Sequence, residues 1–231
     1  ARGNNLCINK AIKDGYRYAI ISNNDIIYEV DTISELLKKI YKSDYFIVAP
    51  KVMLPNGNTQ ESNKIKRPSY IHYIKNETYL NRFFTDKNVE KKNEREVYWV
   101  AGCCFIVDLE KFKQINLFDK NTFLYYEEYI ISEKVLKNNF KILFLPSAKV
   151  IHHHGASMGD VNVNIFLEHL KSEMYFWIKY RKMNKFKTFV LYNIRKLEIK
   201  ISLKKRNRSN EYKTFKDKSK LILKEINKVF R

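Results

Sequence analysis

Short apolar segments of strand length alternate with stretches of helical periodicity along most of the chain. No apolar run approaches the roughly 20 residues of a membrane span. Strands that alternate with helices form a sheet covered by helices, so this order predicts an α/β domain with a largely parallel sheet. The predicted strands are Tyr18–Ser22, 46–52, 99–107, 140–145 and 150–154, and the predicted helices are 4–14, Thr32–Tyr41, 109–115 and 126–138.

Two local signals mark the starts of predicted helices. Thr32-x-x-Glu35 has the spacing of a capping box, and Asp108 stands directly before the helix predicted at 109–115. Between the strands, residues 58–95 are polar, basic and weakly periodic, which predicts a long surface loop.

The C-terminal part of the chain differs in composition from the rest. Residues 171–231 contain 20 Lys and Arg but 5 Asp and Glu, so they carry most of the formal net charge of +19. After Gly159 the pattern is helical to the end, apart from the polar residues 204–210. We therefore predict an α/β domain at 1–158 and a basic, all-helical extension at 159–231.

This basic segment predicts attraction to phosphate groups, whether in a nucleotide, a nucleic acid or an anionic lipid. A lysine-rich solvated surface explains the same composition. Within the segment, residues 165–180 mix aromatic side chains with Lys171 and Lys179. That mixture is typical of an amphipathic helix on a lipid surface, and also of a helix that covers the core of the α/β domain.

The three cysteines form no pattern of a metal site or a disulfide framework. Cys103 and Cys104 are adjacent, and no zinc-type spacing is present. We expect reduced, buried thiols and a cytoplasmic protein.

Asn23, Asn24 and Asp25 directly follow the first predicted strand. In open α/β sheets, ligands bind beyond the carboxyl ends of strands, and an Asp there can hold a divalent cation that bridges a diphosphate. Asn and Asp also favour ordinary turns, which is the simpler explanation of the triplet considered alone.

Two further motifs have the same ambiguity. Glu127 and Glu128 stand at the start of a predicted helix, where acids either stabilise the helix dipole or present a carboxylate base. The aromatic residues before them are of the type that stacks on sugars. His152 lies in a run of three histidines, which is typical of a metal ligand, of a surface polar cluster or of a buried histidine.

The order of these motifs resembles the family 2 glycosyltransferases with the GT-A fold, in particular their bacterial rhamnosyltransferase-like branch. The resemblance covers residues 1–157. Its pieces are Ala1-Arg2-Gly3-Asn4-Asn5-Leu6, Ser22-Asn23-Asn24-Asp25, Trp99-Val100-Ala101-Gly102, Phe118-Asp119, Tyr126-Glu127-Glu128, Pro146, His152 and Ser157.

This resemblance implies a GT-A-like, Rossmann-type α/β fold with a mixed, mostly parallel sheet flanked by helices. It also implies an inverting transfer of a sugar from a nucleotide-diphosphate donor to a hydroxyl of a glycan or lipid-linked acceptor. The expected setting is bacterial surface polysaccharide synthesis.

The resemblance further implies a donor side of the site. Asp25 would coordinate a divalent cation, Mg²⁺ or Mn²⁺, near the donor diphosphate. His152 would be a second ligand of that metal or a contact of the diphosphate. Asn24 would line the donor site, and Asn5 would lie near the nucleotide.

The acceptor side is implied in the same way. Glu128, beside Glu127, would act as the general base on the acceptor hydroxyl. Trp99, Gly102 and Tyr126 would shape the acceptor site.

The chain departs from the family pattern in three respects. The acid pair of the family is usually Glu-Asp, so Glu128 adds a methylene, and Ile130 stands where an acid is often found. The first strand and base-binding loop of the family would precede Ala1. We therefore expect this chain to lack part of its nucleotide pocket. Whether the chain is active by itself stays open.

Two other functions fit parts of the sequence. A basic module that binds a membrane or a nucleic acid would use the C-terminal segment, with the acidic motifs as helix caps. A catalytically degenerate transferase would explain Glu128. Under the transferase hypothesis, we expect a cytoplasmic enzyme without a nucleic-acid partner, peripheral on the inner face of the plasma membrane through its basic helices.

Overall fold

The computed structural model describes residues 2–78, 81, 93–153 and 163–230. The described helices are Arg2–Lys13 (α1), Thr32–Tyr41 (α2), Tyr70–Asn76 (α3), Leu109–Gln114 (α4), Glu127–Lys137 (α5), Val163–Lys179 (α6), Lys185–Lys205 (α7) and Glu211–Val229 (α8). The described strands are Tyr18–Ser22 (β1), Ile26–Tyr28 (β2), Ile47–Met53 (β3), Asn63–Lys64 (β4), Arg95–Val97 (β5), Trp99–Val100 (β6), Cys104–Asp108 (β7) and Ile142–His152 (β8). Within these ranges, no helix is both long and apolar enough to cross a membrane.

The described residues fall into two compact units. The first consists of 2–67, 93–120 and 127–153, and the second of 68–78, 81, 121–126 and 163–230. The second unit thus contains the predicted helical extension and also two segments from within the predicted α/β domain.

The first unit is built on a six-stranded sheet in the order β1-β7-β3-β8-β2, with β5 paired to β8 beyond this path. β3 and β8 run parallel, whereas the other described pairings of this sheet are antiparallel. Since β1 and β3 are both antiparallel to β7, β1, β3 and β8 end at the same edge. A mixed sheet flanked by helices is confirmed, but the expectation of a mostly parallel sheet is wrong, because β7, β2 and β5 run in the opposite direction.

Side chains of the central strands alternate between the two faces of this sheet, and both faces are buried. Ile47, Ala49, Phe105 and Phe144 belong to a core that also contains Ile8 of α1, Phe112 of α4 and Ile131 and Val135 of α5. Val48, Ile106 and Leu143 point to the opposite face and pack with Leu36 and Ile40 of α2. The strict alternation explains why these segments are apolar throughout, since each is buried on both faces.

Three predicted strands have different bounds in the structure. The segment predicted at 99–107 contains two strands, β6 and β7, separated by residues 101–103. Parts of the segments predicted at 140–145 and 150–154 belong to the single strand β8, Ile142–His152, and residue 154 lies outside the described residues. Its register with β3 shifts between Pro50 and Lys51, opposite the stretch that contains Pro146. A bulge is the usual place for proline in a sheet, because proline has no N–H to donate.

One predicted helix cap is confirmed and the other is wrong. The Asp108 carboxylate accepts hydrogen bonds from the N–H groups of Glu110 at 2.9 Å and Lys111 at 3.1 Å. Thr32 does not cap α2; its hydroxyl donates to the carbonyl of Lys149 at 2.6 Å. The threonine therefore fixes α2 to the sheet.

The region predicted as a long loop at 58–95 contains regular elements. Its described residues include β4, α3 and the first residue of β5, and α3 belongs to the second unit. The elements are short, which is why sequence periodicity did not reveal them.

In the second unit, α6, α7 and α8 pack against one another. The apolar side chains of α6 are turned into the protein: Leu170, Met174, Phe176 and Trp177 are all buried. The apolar face of residues 165–180 is therefore buried within the second unit, which does not fit a helix that rests on a lipid surface.

A buried ion pair lies inside this helical unit. Arg195 donates from Nε to Oε2 of Glu173 at 2.8 Å and from Nη1 to Oε2 of Glu198 at 2.6 Å. The hydroxyl of Tyr73 also donates to Glu173. Burial by itself would raise the pKa of Glu173, but the charge of Arg195 and its hydrogen bonds lower that pKa below its ordinary value.

The cysteines are free, and two of them are placed as predicted. Cys103 and Cys104 are buried, whereas Cys7 is exposed, against expectation. Burial raises the pKa of the Cys103 thiol to about 12, so that this side chain stays protonated.

Candidate active site

Strand pairing brings three of the sequence motifs to one edge of the sheet. Ser22 at the end of β1 is paired with Cys104 at the start of β7, and Ile26 of β2 is paired with His152 at the end of β8. The N–H of Asn23 donates to the carbonyl of Cys103 at 2.8 Å. The triplet at 23–25, the turn at 101–103 and His152 therefore lie together at the carboxyl ends of β1 and β8, where α/β sheets bind ligands.

Asp25 and His152 form the polar centre of this edge. Nε2 of His152 lies 3.3 Å from Oδ1 of Asp25, and both side chains are largely shielded from solvent. The backbone supports the pair, because the N–H of His153 donates to the carbonyl of Asp25 at 3.0 Å.

Gln60 orients the imidazole of His152 from its other side. Its Oε1 lies 2.9 Å from Nδ1 of His152. A proton on Nδ1, donated to Gln60, leaves the lone pair of Nε2 directed at Asp25. No sequence signal pointed to Gln60, which lies in the predicted loop. It is held in place by its N–H, which donates to the carbonyl of Val52.

The pair presents two candidate ligand atoms to a divalent cation, Oδ1 of Asp25 and Nε2 of His152. Oδ1 of Asp25 is a buried oxygen without a hydrogen-bond partner. Two adjacent ligands of an octahedral ion with bonds of about 2.1 Å lie roughly 3 Å apart, close to the separation of the two side chains. The donor set therefore fits Mg²⁺ or Mn²⁺.

Protein ligands alone would not complete the coordination of such an ion. In the part of the chain that is described, no group of three or more His, Cys, Asp or Glu side chains is arranged to hold a metal. Mg²⁺ is commonly bound by one or two protein ligands together with substrate phosphates and waters. Asp25 and His152 fit that mode of binding.

Glu128 lies in the first turn of α5, packed against Gly102. A Cβ atom added to Gly102 would lie 1.8 Å from Oε1 and 2.7 Å from Cδ of Glu128. The carboxylate thus occupies the space that any side chain at 102 would need. Gly102 is part of the turn between β6 and β7, so the contact holds Glu128 at the edge of the sheet that carries Asp25.

The surroundings of Glu128 change its acidity. Burial raises the pKa of this carboxyl to about 7, and the neighbouring charge of Glu127 adds to the increase. Backbone hydrogen bonds at Glu128 and Gly102 oppose the shift. Burial also raises the pKa of Glu127, which is itself half-buried. A carboxylate with a pKa near 7 is suited to accept a proton at physiological pH.

Trp99, predicted to shape the acceptor site, belongs to a small aromatic cluster. Its ring lies 5.6 Å from that of Tyr129, at an interplanar angle of 30°. The ammonium of Lys64 lies 5.5 Å from the Trp99 ring and 5.6 Å from the Tyr129 ring. Tyr129 follows Glu128 in α5, so the cluster and the carboxylate share a helix turn. The sequence had not singled out Lys64 or Tyr129.

Two predicted site residues make contacts inside the protein. The buried Asn5 donates from Nδ2 to the carbonyl of Phe118 at 3.0 Å and accepts from its N–H at 3.1 Å. Its amide is thereby used inside the protein, and its place near the donor nucleotide stays a prediction. Tyr126 is buried in the second unit, where its hydroxyl bonds to that of Tyr73. Its contact with the acceptor also stays a prediction.

Asn24 is exposed beside Asp25 and is accessible to a ligand. Ser157 and His154 lie outside the described residues.

Known proteins resemble this chain in sequence and in fold. No protein-family model matches the chain. Two curated relatives, both named N-acetylglucosaminyl-diphospho-decaprenol L-rhamnosyltransferase, come from Mycobacterium tuberculosis strains CDC 1551 and H37Rv. Each is 25% identical over 167 residues, which are 69% of this chain and 54% of the relative. The chain thus spans about half the length of the curated relatives it matches.

A solved structure resembles the fold. The crystal structure of GalNAc-T7 with UDP, GalNAc and Mn²⁺ matches with a TM-score of 0.53 and 17% identity, over 78% of this chain and 35% of that one. The likeness shows the GT-A fold. Together with the curated relatives, it confirms the resemblance to GT-A, rhamnosyltransferase-like transferases that the motif order predicted.

Proposed function

We propose that this chain carries the catalytic centre of a glycosyltransferase that acts on a lipid-linked sugar. One observation carries the proposal: Asp25 with His152, and Glu128 with Gly102, lie at the same edge of a GT-A sheet. The relatives from M. tuberculosis, whose name specifies an N-acetylglucosaminyl-diphospho-decaprenol acceptor and an L-rhamnosyl group, support this substrate class.

On the donor side, Asp25 and His152 would hold a divalent cation, with Gln60 fixing the imidazole. The cation would neutralise charge on the diphosphate leaving group of a nucleotide-sugar donor. The buried, unpartnered Oδ1 of Asp25 supports this role, because a carboxylate oxygen in that state is otherwise costly. The exposed Asn24 amide lies next to Asp25 and would contact the donor.

On the acceptor side, Glu128 would accept the proton of the attacking hydroxyl. Its raised pKa makes it a better proton acceptor than an ordinary carboxylate, and the longer side chain is accommodated because residue 102 is glycine. The acceptor oxygen forms a bond to the anomeric carbon as the bond to the diphosphate breaks. Direct displacement of this kind inverts the anomeric centre.

Trp99 and Tyr129 would provide aromatic faces for the acceptor sugar beside this base. Lys64, which lies near both rings, would attract the phosphate of a lipid-linked acceptor. We propose the synthesis of a bacterial surface polysaccharide as the setting, since lipid-diphosphate sugars serve as acceptors there.

Sugar transfer can be tested by the release of nucleoside diphosphate from a panel of nucleotide sugars. The acceptor would be a short-chain analogue of N-acetylglucosaminyl-diphospho-polyprenol, with Mn²⁺ or with EDTA. We expect release that requires both Mn²⁺ and acceptor, is lost in Asp25→Ala and is retained in His153→Ala, which changes an exposed neighbouring histidine. Absence of turnover with every donor, or equal turnover in EDTA, would contradict the proposal.

A further inference from the structure

One face of α7 exposes large apolar side chains to solvent. Phe186 is 75% exposed, Phe189 51% and Leu197 57%. At 3.6 residues per turn, these three positions fall on one side of the helix. Exposed apolar residues are normal when scattered, but two phenylalanines and a leucine on one helix face mark an interaction surface.

The rotation of α7 is fixed by what its other face buries. The side chains of that face are buried in the second unit: Thr188, Leu191, Tyr192, Glu198, Ile199 and Leu203. The hydroxyl of Tyr192 donates to the carbonyl of Ser219 in α8 at 2.9 Å. The apolar row is therefore on the free side of a packed helix.

The same helix is strongly basic. It contains six lysines and one arginine, Arg195, but a single acid, Glu198. Glu198 is buried and paired with Arg195, so it does not offset the charge of the free face. Lys200 and Lys204 continue the exposed row towards the end of the helix.

We propose that this face, consisting of Phe186, Phe189, Leu197, Lys200 and Lys204, binds the surface of an anionic lipid bilayer. Interfacial helices combine aromatic and leucine side chains that enter the acyl boundary with lysines that meet anionic headgroups. A nucleic-acid backbone would use the lysines but leave the phenylalanines exposed. A second copy of the face would be repelled by its own charge.

A lipid contact at residues 165–180 was one of two interpretations of the sequence. The contact proposed here lies on α7 instead. It goes beyond the proposed transfer reaction, because vesicle binding needs neither donor nor acceptor. A chain that transfers no sugar can still be tested for this surface.

The test is sedimentation of the chain with vesicles of phosphatidylcholine, with and without phosphatidylglycerol. We expect binding that requires phosphatidylglycerol and weakens with salt. The double variants Phe186→Ser/Phe189→Ser and Lys200→Glu/Lys204→Glu should each lower the partition coefficient by about tenfold or more. All four side chains are exposed, so circular dichroism should show unchanged helix content.

Matched changes on α8 provide the control. Leu221 is 61% exposed and Lys224 is exposed. Leu221→Ser/Lys224→Glu should change vesicle binding by no more than about twofold. The variant Asp25→Ala should bind vesicles like the wild type, which separates this result from a failure of the proposed function.

Three outcomes would overturn the proposal. The first is full vesicle binding by Phe186→Ser/Phe189→Ser, and the second is an equal loss in the α8 control. The third is binding to a short RNA duplex that exceeds vesicle binding and is unaffected by the phenylalanine changes. As a second measurement, the added emission of Phe189→Trp should be quenched by brominated lipids.

Discussion

The carboxylate of Glu128 lies so close to the Cα atom of Gly102 that a Cβ there would be 1.8 Å from Oε1. Glycine is required at position 102 because a side chain would have no room there. The backbone conformation does not require it, since Gly102 is not among the described glycines with positive φ, which are Gly15 and Gly57. The turn between β6 and β7 thus decides where the proposed base is held.

Gly102→Ala should separate activity from stability. The added methyl displaces the flexible end of Glu128, and a base misplaced by about 1 Å lowers kcat/KM on the order of 100-fold. Unfolding in urea should change by about 1 kcal/mol or less, because the carboxylate can move. Gly3→Ala, whose Cβ would meet nothing within 4 Å, is the control. Full activity of Gly102→Ala would contradict the placement.

The rate of transfer should depend on pH through Glu128. The base acts when deprotonated, so kcat/KM should rise as pH increases through about 7 and then level off. Measurement from about pH 5 to pH 9 checks this. A rate that is independent of pH over that range would exclude Glu128 as the base.

The same carboxyl should make folding stability depend on pH. Because its pKa is raised in the folded state from 4.5 to about 7, its contribution is fully present below 4.5 and is lost as pH rises through about 7. Glu128→Gln removes this loss. Between about pH 5 and pH 8, the wild type should lose roughly 2 kcal/mol more of unfolding free energy than the variant. Urea unfolding at both pH values measures the difference, and equal losses would contradict the raised pKa.

Gln60 should affect metal binding without touching the metal. Gln60→Ala frees the imidazole of His152 to rotate or change tautomer, and loss of such a partner typically lowers metal affinity by about 10- to 100-fold. Electron paramagnetic resonance of free Mn²⁺, in the presence of a nucleoside diphosphate, gives the affinity. His153→Ala should bind Mn²⁺ like the wild type. Unchanged affinity in Gln60→Ala would show that the pair of Gln60 and His152 has no such role.

The buried pair of Glu173 and Arg195 should stabilise the helical unit. Arg195→Leu leaves Glu173 buried without its charge partner, which typically costs about 3–5 kcal/mol. The double variant Arg195→Leu/Glu173→Leu should recover much of that loss. Urea unfolding followed by circular dichroism measures both, with Lys224→Leu as an exposed control. A double variant that is less stable than the single one would contradict this account.

Local patterns in the sequence predicted most elements of the first unit. Short apolar runs identified β1 and β3, and Asp108 marked the start of α4. The direction of β7 was not predictable, because side-chain alternation is the same in parallel and antiparallel strands. The three-residue strand β2 was too short for a periodic signal.

Residue type and motif order in the sequence predicted part of the candidate site. Contacts between segments that are distant in sequence complete it. Asp25 and His152 meet because β2 pairs with β8, whereas Gln60 joins them from a region without periodicity. The internal contacts of Asn5 and Tyr126 were not predicted, because a polar or aromatic residue in a motif can equally satisfy the backbone or the core. Sequence spacing does not distinguish these uses.

The most direct test of the proposed centre compares two variants in two measurements. Glu128→Gln should bind Mn²⁺ and nucleoside diphosphate like the wild type but lose sugar transfer by about 100-fold or more. Asp25→Ala should lose both binding and transfer. Transfer by Glu128→Gln at the wild-type rate, or Mn²⁺-dependent binding that survives in Asp25→Ala, would contradict the account.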